Sequence, residues 1–166
     1  MKKAKIEELN QITRLFKRID IENVETPQNY FNFVGTLDVF PRCLTEKESL
    51  DLINEDYNAK HIDKYISFFE LCMTTISEPV YVYKRPLLGD GDSRDDSELC
   101  KVTTIDEIHP FIISIGREQC FYNFFWKDSR TVVIGNFDLS LPIYSDVQHI
   151  HTFKACAADS ELFIRT

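Results

Sequence analysis

The stretch between Phe111 and Phe137 constrains the fold of this chain more than any other part of the sequence. It reads FIISIGREQCFYNFFWKDSRTVVIGNF, with three apolar runs separated by the polar breaks 116–119 and 127–130. Each run is short and rich in β-branched or aromatic residues, and neither break is long enough to hold a crossover helix. The stretch therefore predicts a three-stranded antiparallel meander over residues 111–137, at the centre of the fold.

The segments around this meander predict helices and further strands. Apolar residues recur at helical spacing in 3–19 and 59–77, and we expect both helices to pack on the sheet. The first of these stripes comprises Ile6, Leu9, Ile12, Leu15, Phe16 and Ile19. Further strands are expected at Val80 to Tyr83, Leu99 to Thr104 and Leu162 to Ile164. Capping boxes that begin at Thr45 and Ser145 predict two more helix starts. The chain shows no internal repeat and no linker, and its 166 residues are a usual length for one domain. We therefore predict a single α+β domain over residues 1–166 with a central antiparallel sheet.

The charge is acidic and unevenly distributed. The chain has 19 basic and 27 acidic residues, and residues 21–78 alone carry four basic against eleven acidic side chains. Residues 88–98 form a polar, glycine-bearing acidic run, which predicts a mobile surface loop. An acidic body disfavours binding to a phosphate backbone. It favours a basic protein partner, or serves solubility alone.

The cysteines and the N-terminus bear on the compartment. Five cysteines lie at positions 43, 72, 100, 120 and 156, without a C-x-x-C pair, which is typical of reduced thiols rather than of a zinc site or disulfide scaffold. The first residues, MKKAKIEELNQ, lack the apolar core of a signal peptide. No run approaches the 18 or so apolar residues that indicate a membrane span. These features predict a cytoplasmic protein.

The sequence offers little that indicates catalysis or metal binding. His149-Ile150-His151-Thr152 matches the His-x-Thr pattern of 2H phosphoesterases, but acid–base catalysis there needs two such motifs and the chain has one. The acidic run from Asp90 departs from an EF-hand loop at positions 5, 6 and 12, and there is no phosphate-binding glycine motif. We therefore expect no enzyme, cofactor or metal. A small hydrolase or phosphoesterase that uses His149 or His151, and a non-catalytic adaptor domain, are the alternatives.

Two acidic clusters and the aromatic residues of the meander are the candidate binding residues. They are Glu46, Glu48, Asp51, Glu55, Asp56, Asp90, Asp92, Asp95, Asp96, Glu98, Tyr122 and Trp126. In its size, its acidic clusters and its lack of a catalytic motif, the chain resembles bacterial immunity proteins of the contact-dependent growth inhibition type. That resemblance implies an inhibitor that covers the basic cleft of a toxin, typically a nuclease. Complementary charge would speed the encounter, and tyrosine and tryptophan would anchor the complex.

Overall fold

One antiparallel sheet organises the molecule. The computed structural model describes residues 2–16, 27–53, 56–85, 99–136 and 138–166. In chain order the elements are β1 (Lys2–Lys3), α1 (Ile6–Phe16), a 3₁₀ helix (Pro27–Asn29), β2 (Phe33–Asp38), α2 (Glu46–Leu52), α3 (Tyr57–Thr75), β3 (Val80–Arg85), β4 (Leu99–Val102), α4 (Ile105–Gly116), β5 (Phe121–Trp126), β6 (Thr131–Ile134), β7 (Leu141–Ser145), α5 (Ile150–Asp159) and β8 (Phe163–Arg165). Across the described residues the strands follow the order β1-β4-β3-β5-β6-β7-β2-β8, and every neighbouring pair is antiparallel. The predicted α+β class is confirmed.

The prediction that the meander begins with a strand at Phe111 is wrong. Residues 111–116 belong to α4, whose buried side chains Ile108, Ile112 and Ile115 recur at spacings of four and three. The stripe begins before Pro110, which the helix tolerates at its sixth position. A short apolar run does not by itself distinguish a strand from a buried helix. The meander in the structure is β5, β6 and β7, and β3 joins it beside β5, as predicted.

The two faces of the sheet carry two separate cores. Alternate residues of β5 point to opposite faces, so Phe124 and Trp126 pack under α3 and α5, while Phe125 packs under α1. Phe69 of α3 lies 4.4 Å from Phe124, centroid to centroid, and Phe16 of α1 lies 4.8 Å from Phe125. The N-terminal and middle helices therefore pack on the sheet as predicted, but on opposite faces.

Helix α1 docks with a different face from the one predicted. Ile12 and Phe16 are buried, whereas Ile6, Leu9 and Leu15 are exposed. The third inward position, one turn before Ile12, is Glu8. Its Oε1 accepts hydrogen bonds from Lys101 Nζ (2.6 Å) and Tyr81 Oη (2.9 Å). Glu8 therefore occupies the inward position for which the hydrophobic pattern predicts Leu9. Ile19 lies outside the described residues.

The two predicted capping boxes have different outcomes. Thr45 caps α2, and its hydroxyl accepts from the Glu48 amide while the Glu48 carboxylate accepts from the Thr45 amide. The box predicted at Ser145 is wrong, because α5 begins at Ile150 with His149 as its N-cap. Ser145 instead ends β7, where its hydroxyl lies 2.6 Å from that of Thr131 on the adjacent strand.

Candidate binding surface around helix α2

Helix α2 has no buried residue and exposes large apolar side chains at its end. None of its residues is buried, and the exposed fractions of Leu50, Leu52 and the following Ile53 are 77%, 47% and 37%. We call Leu50 and Ile53, which are three residues apart and so lie on the same side of the helix, the α2 ridge. A helix of seven residues is too short to be stable on its own local interactions. Local polar contacts must therefore help to hold the helix, and the exposed apolar side chains remain available for contact with another molecule.

Local polar contacts hold the ridge in shape. Besides the capping box, Arg42 forms a two-pronged ion pair with Glu48, with Nη1 to Oε2 at 2.9 Å and Nη2 to Oε1 at 2.5 Å. These hydrogen bonds, first from Arg42 and then from Thr45, lower the pKa of Glu48 to about 2. Such a forked pair orients both side chains. The ridge is thus presented by a helix whose start is well defined.

A groove with an apolar centre and charged residues at its edge adjoins the ridge at Ile53. It has a volume of about 810 Å³ and runs between the start of α3 and the end of α4. Its lining is Ile53, Asn58, Ala59, Ile62, Asp63, Ile66, Ile113, Gly116, Arg117 and Glu118. A side chain at Gly116 would meet Ile62, since a Cβ built there comes within 2.4 Å of Ile62 Cδ1. A larger residue at position 116 would therefore require the end of the Ile62 side chain to move.

A smaller, acidic pocket lies on the other side of Ile53. It has a volume of about 170 Å³, and its lining includes Ile53, Tyr57, Cys43, Ser140 and the three charged residues Asp38, Asp138 and Arg165. We call it the acidic pocket. Because Ile53 lines both depressions, the groove, the ridge and the acidic pocket form one continuous surface.

The two aspartates of the acidic pocket are placed by tight turns. Asp38 Oδ1 accepts from the amide of Phe40, and Asp138 Oδ1 accepts from the amide of Ser140, both at 3.0 Å. An aspartate that bonds the backbone two residues ahead closes an Asx turn. The residue between Asp138 and Ser140 has a left-handed backbone, with φ of 55°. Both carboxylates are therefore oriented by their own chain segment.

Only one of these carboxylates forms a salt bridge among the described residues. Asp38, which is buried, accepts from Arg165 Nη2 at 2.8 Å and from Ser140 Oγ at 3.0 Å. Arg165 Nη1 also lies 2.7 Å from Cys43 Sγ. Among the described residues Asp138 forms no salt bridge. The three charged groups thus leave one negative charge in excess at the pocket.

Tyr57 places an unpaired hydroxyl at this pocket. Its side chain is 4% exposed and lines the pocket. Burial, followed by the charges of Asp38 and Asp138, raises the pKa of its phenol. Within the described part of the chain, this hydroxyl has no hydrogen-bond partner. Because Tyr57 lines the pocket, its hydroxyl is available to a group that enters the pocket.

The structure brings together some of the predicted binding residues. Glu46, Asp51 and Asp56 are exposed on α2 or at the start of α3. Glu48 lies there too, partly covered by its partner Arg42. Six others lie outside the described residues: Glu55, Asp90, Asp92, Asp95, Asp96 and Glu98. The predicted mobile loop at 88–98 lies there as well.

The predicted aromatic anchors are not placed as expected. Trp126 is 0% exposed, so its use as an exposed anchor is wrong: β5 is an inner strand with helices over both faces. Tyr122 is partly buried, with its ring 4.8 Å from that of Phe111. Neither the α2 ridge nor the acidic pocket is predicted from the sequence. The apolar residues after Glu48 were the available signal for the ridge.

The groups considered for catalysis lie elsewhere. His149 caps α5 without a side-chain hydrogen bond, and His151 is exposed in the first turn. Neither lines the groove or the acidic pocket. No group of three or more histidine, cysteine, aspartate or glutamate side chains in the described ranges could hold a metal ion. Nor does any helix in those ranges have the length and apolar content needed to cross a bilayer.

None of the five cysteines, all of which the structure describes, forms a disulfide. Cys72 of α3 and Cys156 of α5 are buried. The hydrogen bond from Cys72 lowers the pKa of Cys156 to about 7, against the effect of burial. Both sulfurs belong to the core between the two helices, away from the surface around α2.

Comparisons with protein-family models, curated proteins and solved structures found no match. The function is therefore inferred from this chain's own surfaces.

Proposed function

We propose that this protein is a protein-binding inhibitor that docks a basic partner on the α2 ridge. The observation that supports the proposal is α2 itself, a helix that buries none of its residues and exposes three large apolar side chains. Binding interfaces typically have such an apolar centre within a polar rim. The adjoining groove adds apolar surface to the same site.

The charge around the ridge indicates the partner's chemistry. On α2 and at the groove the exposed carboxylates of Glu46, Asp51 and Asp63 outnumber the cations of Lys47 and Arg117, and Asp138 adds a carboxylate at the acidic pocket. Opposite charges steer two proteins together and disfavour partners of like charge. A basic protein surface is therefore the occupant that fits best.

An immunity protein is the biological role that agrees best with these features. A nuclease toxin holds an anionic substrate, so its active cleft is basic. A cytoplasmic inhibitor with an acidic rim and an apolar centre would cover that cleft and exclude the substrate. Tight, fast binding would protect the cell that makes the toxin.

Ridge variants test this proposal. The partner is isolated on the wild-type protein and identified, and its affinity is then measured for Leu50→Ser and Ile53→Ser. We expect each variant to weaken binding at least tenfold, because the interface loses apolar contact area. Val147→Ser is the matched control, since Val147 is 51% exposed in the turn before α5, and it should bind normally.

Two results would contradict the proposal. One is an acidic partner, or a basic one that binds the ridge variants and the control equally well. The other is turnover of a phosphodiester by the purified protein that His149→Ala or His151→Ala abolishes, which would favour the hydrolase.

A further inference from the structure

We infer that the acidic pocket binds the ammonium group of a single lysine side chain presented by the partner. This site deepens the proposed function and rests on it for the identity of the partner. The pocket lies against Ile53 of the ridge, so a protein docked on the ridge would also reach it. The chemistry of the pocket, its size and its free acceptors support the inference in turn.

The charges of the pocket favour a cation over an anion. Asp38 is already paired with Arg165, while Asp138 has no ionic partner among the described residues. An anion would meet two carboxylates and one guanidinium. A cation instead restores neutrality, and a charge-assisted hydrogen bond is stronger than a neutral one.

The free acceptors favour ammonium over guanidinium. Asp138 already uses Oδ1 for the amide of Ser140, which leaves Oδ2 as the open oxygen. A guanidinium binds a carboxylate best through two parallel hydrogen bonds and so needs both oxygens. Lysine is a compact charge with three donors. One can reach Asp138 Oδ2, and another can reach the oxygen of Tyr57, which otherwise has no partner within the described ranges.

The size of the pocket fits the end of one side chain. Pockets for drug-sized ligands typically measure about 300–1,000 Å³, and this one measures about 170 Å³. No group of three or more acidic, histidine or cysteine side chains in the described residues is arranged to hold a metal ion. A side chain is therefore a better occupant than a small molecule or a metal ion.

A titration with a lysine analogue tests the site without the partner. Nα-acetyl-lysine methylamide is added to the ¹⁵N-labelled protein at low salt, and the amide shifts are followed. We expect saturable shifts at Leu139, Ser140, Cys43 and Ile53. The dissociation constant should rise at least fivefold in Asp138→Asn and at least twofold in Tyr57→Phe. Asp63→Asn, which removes a carboxylate at the neighbouring groove, should leave it within twofold.

Several outcomes would overturn the site. The uncharged analogue Nα-acetyl-norleucine methylamide could produce the same shifts, or the arginine analogue could bind more tightly than lysine. Mg²⁺ could saturate the same amides at lower concentration. Shifts spread equally over all acidic residues would indicate only general attraction of cations. Because no partner is involved, failure here with intact ridge results removes the lysine site alone, and the reverse pattern removes the docking proposal alone.

Discussion

The hydroxyl groups of Tyr57 and Tyr65, both in α3, contribute differently to the stability of the fold. Tyr65 is fully buried, and its hydroxyl donates to the carbonyl of Leu139. Tyr57, two turns earlier, has a buried ring but no hydrogen-bond partner for its hydroxyl within the described residues. Removing a satisfied buried hydroxyl leaves an acceptor unpaired, whereas removing an unsatisfied one does not.

The corresponding phenylalanine variants should therefore differ. Tyr65→Phe should lower the free energy of unfolding by about 1–3 kcal/mol, because the Leu139 carbonyl is left without its donor. Tyr57→Phe should leave that free energy unchanged or raise it. Urea denaturation of both variants at neutral pH is the measurement. Equal losses in the two proteins would mean that the Tyr57 hydroxyl has a stabilising contact.

At the scale of elements, α1 is attached through a charged residue. Glu8 connects the helix to β3 and β4 through Tyr81 and Lys101. The hydrogen bond from Lys101, followed by that from the Lys5 amide, lowers the pKa of Glu8 from 4.5 to about 2. A depressed carboxyl pKa stabilises the folded state above the unfolded pKa, and this stabilisation is lost as the pH falls. Docking of α1 should therefore weaken between pH 4.5 and 2.

The methyl resonance of Ile12 reports this docking, because Ile12 packs between α1 and the sheet. In the wild type we expect it to move toward its random-coil position as the pH falls through that range. In Glu8→Gln it should already be displaced at pH 7. Glu48→Gln is the control, since the pKa of Glu48 is also about 2 but its contacts are confined to the start of α2. An Ile12 signal unaffected by Glu8→Gln would show that packing alone holds the helix.

The elements that could be predicted from the sequence are those whose structure depends on interactions between residues close together in the chain. The Thr45 box involves residues three apart, and α2 was found from it. The buried face of α1 differs from the predicted one, because Glu8 is drawn inward by Lys101, which is 93 positions away. Residues 111–116 are helical because their buried stripe of isoleucines begins before Pro110. The short apolar run after Pro110 does not by itself distinguish a helix from a strand.

The candidate site was less predictable than the fold. Its acidic pocket joins Asp38 to Ser140 and Arg165, which are 102 and 127 positions along the chain. Only the pairing of β2 with β8 brings Asp38 and Arg165 together. The exposure of Leu50 and Ile53 likewise depends on what the fold leaves uncovered. Charge counts alone indicated the acidic character of this region.

At the scale of the whole molecule, the distribution of charge matters more than its sum. The net charge is −8, which would attract any basic protein weakly. Charges beside the docking site act mainly on the association rate, and their effect is screened over a Debye length of about 8 Å at physiological salt. Carboxylates near α2 should therefore accelerate binding more than equally exposed carboxylates elsewhere.

The association rate constant with the isolated partner, measured over a salt series, tests this central claim most directly. The double variant Glu46→Gln, Asp51→Asn should associate about tenfold more slowly than the wild type at low salt, and the two rates should converge at high salt. Asp106→Asn with Asp159→Asn removes the same number of exposed charges from α4 and α5 and should follow the wild type. Equal slowing by both double variants, or a wild-type rate indifferent to salt, would contradict a basic partner docked at α2.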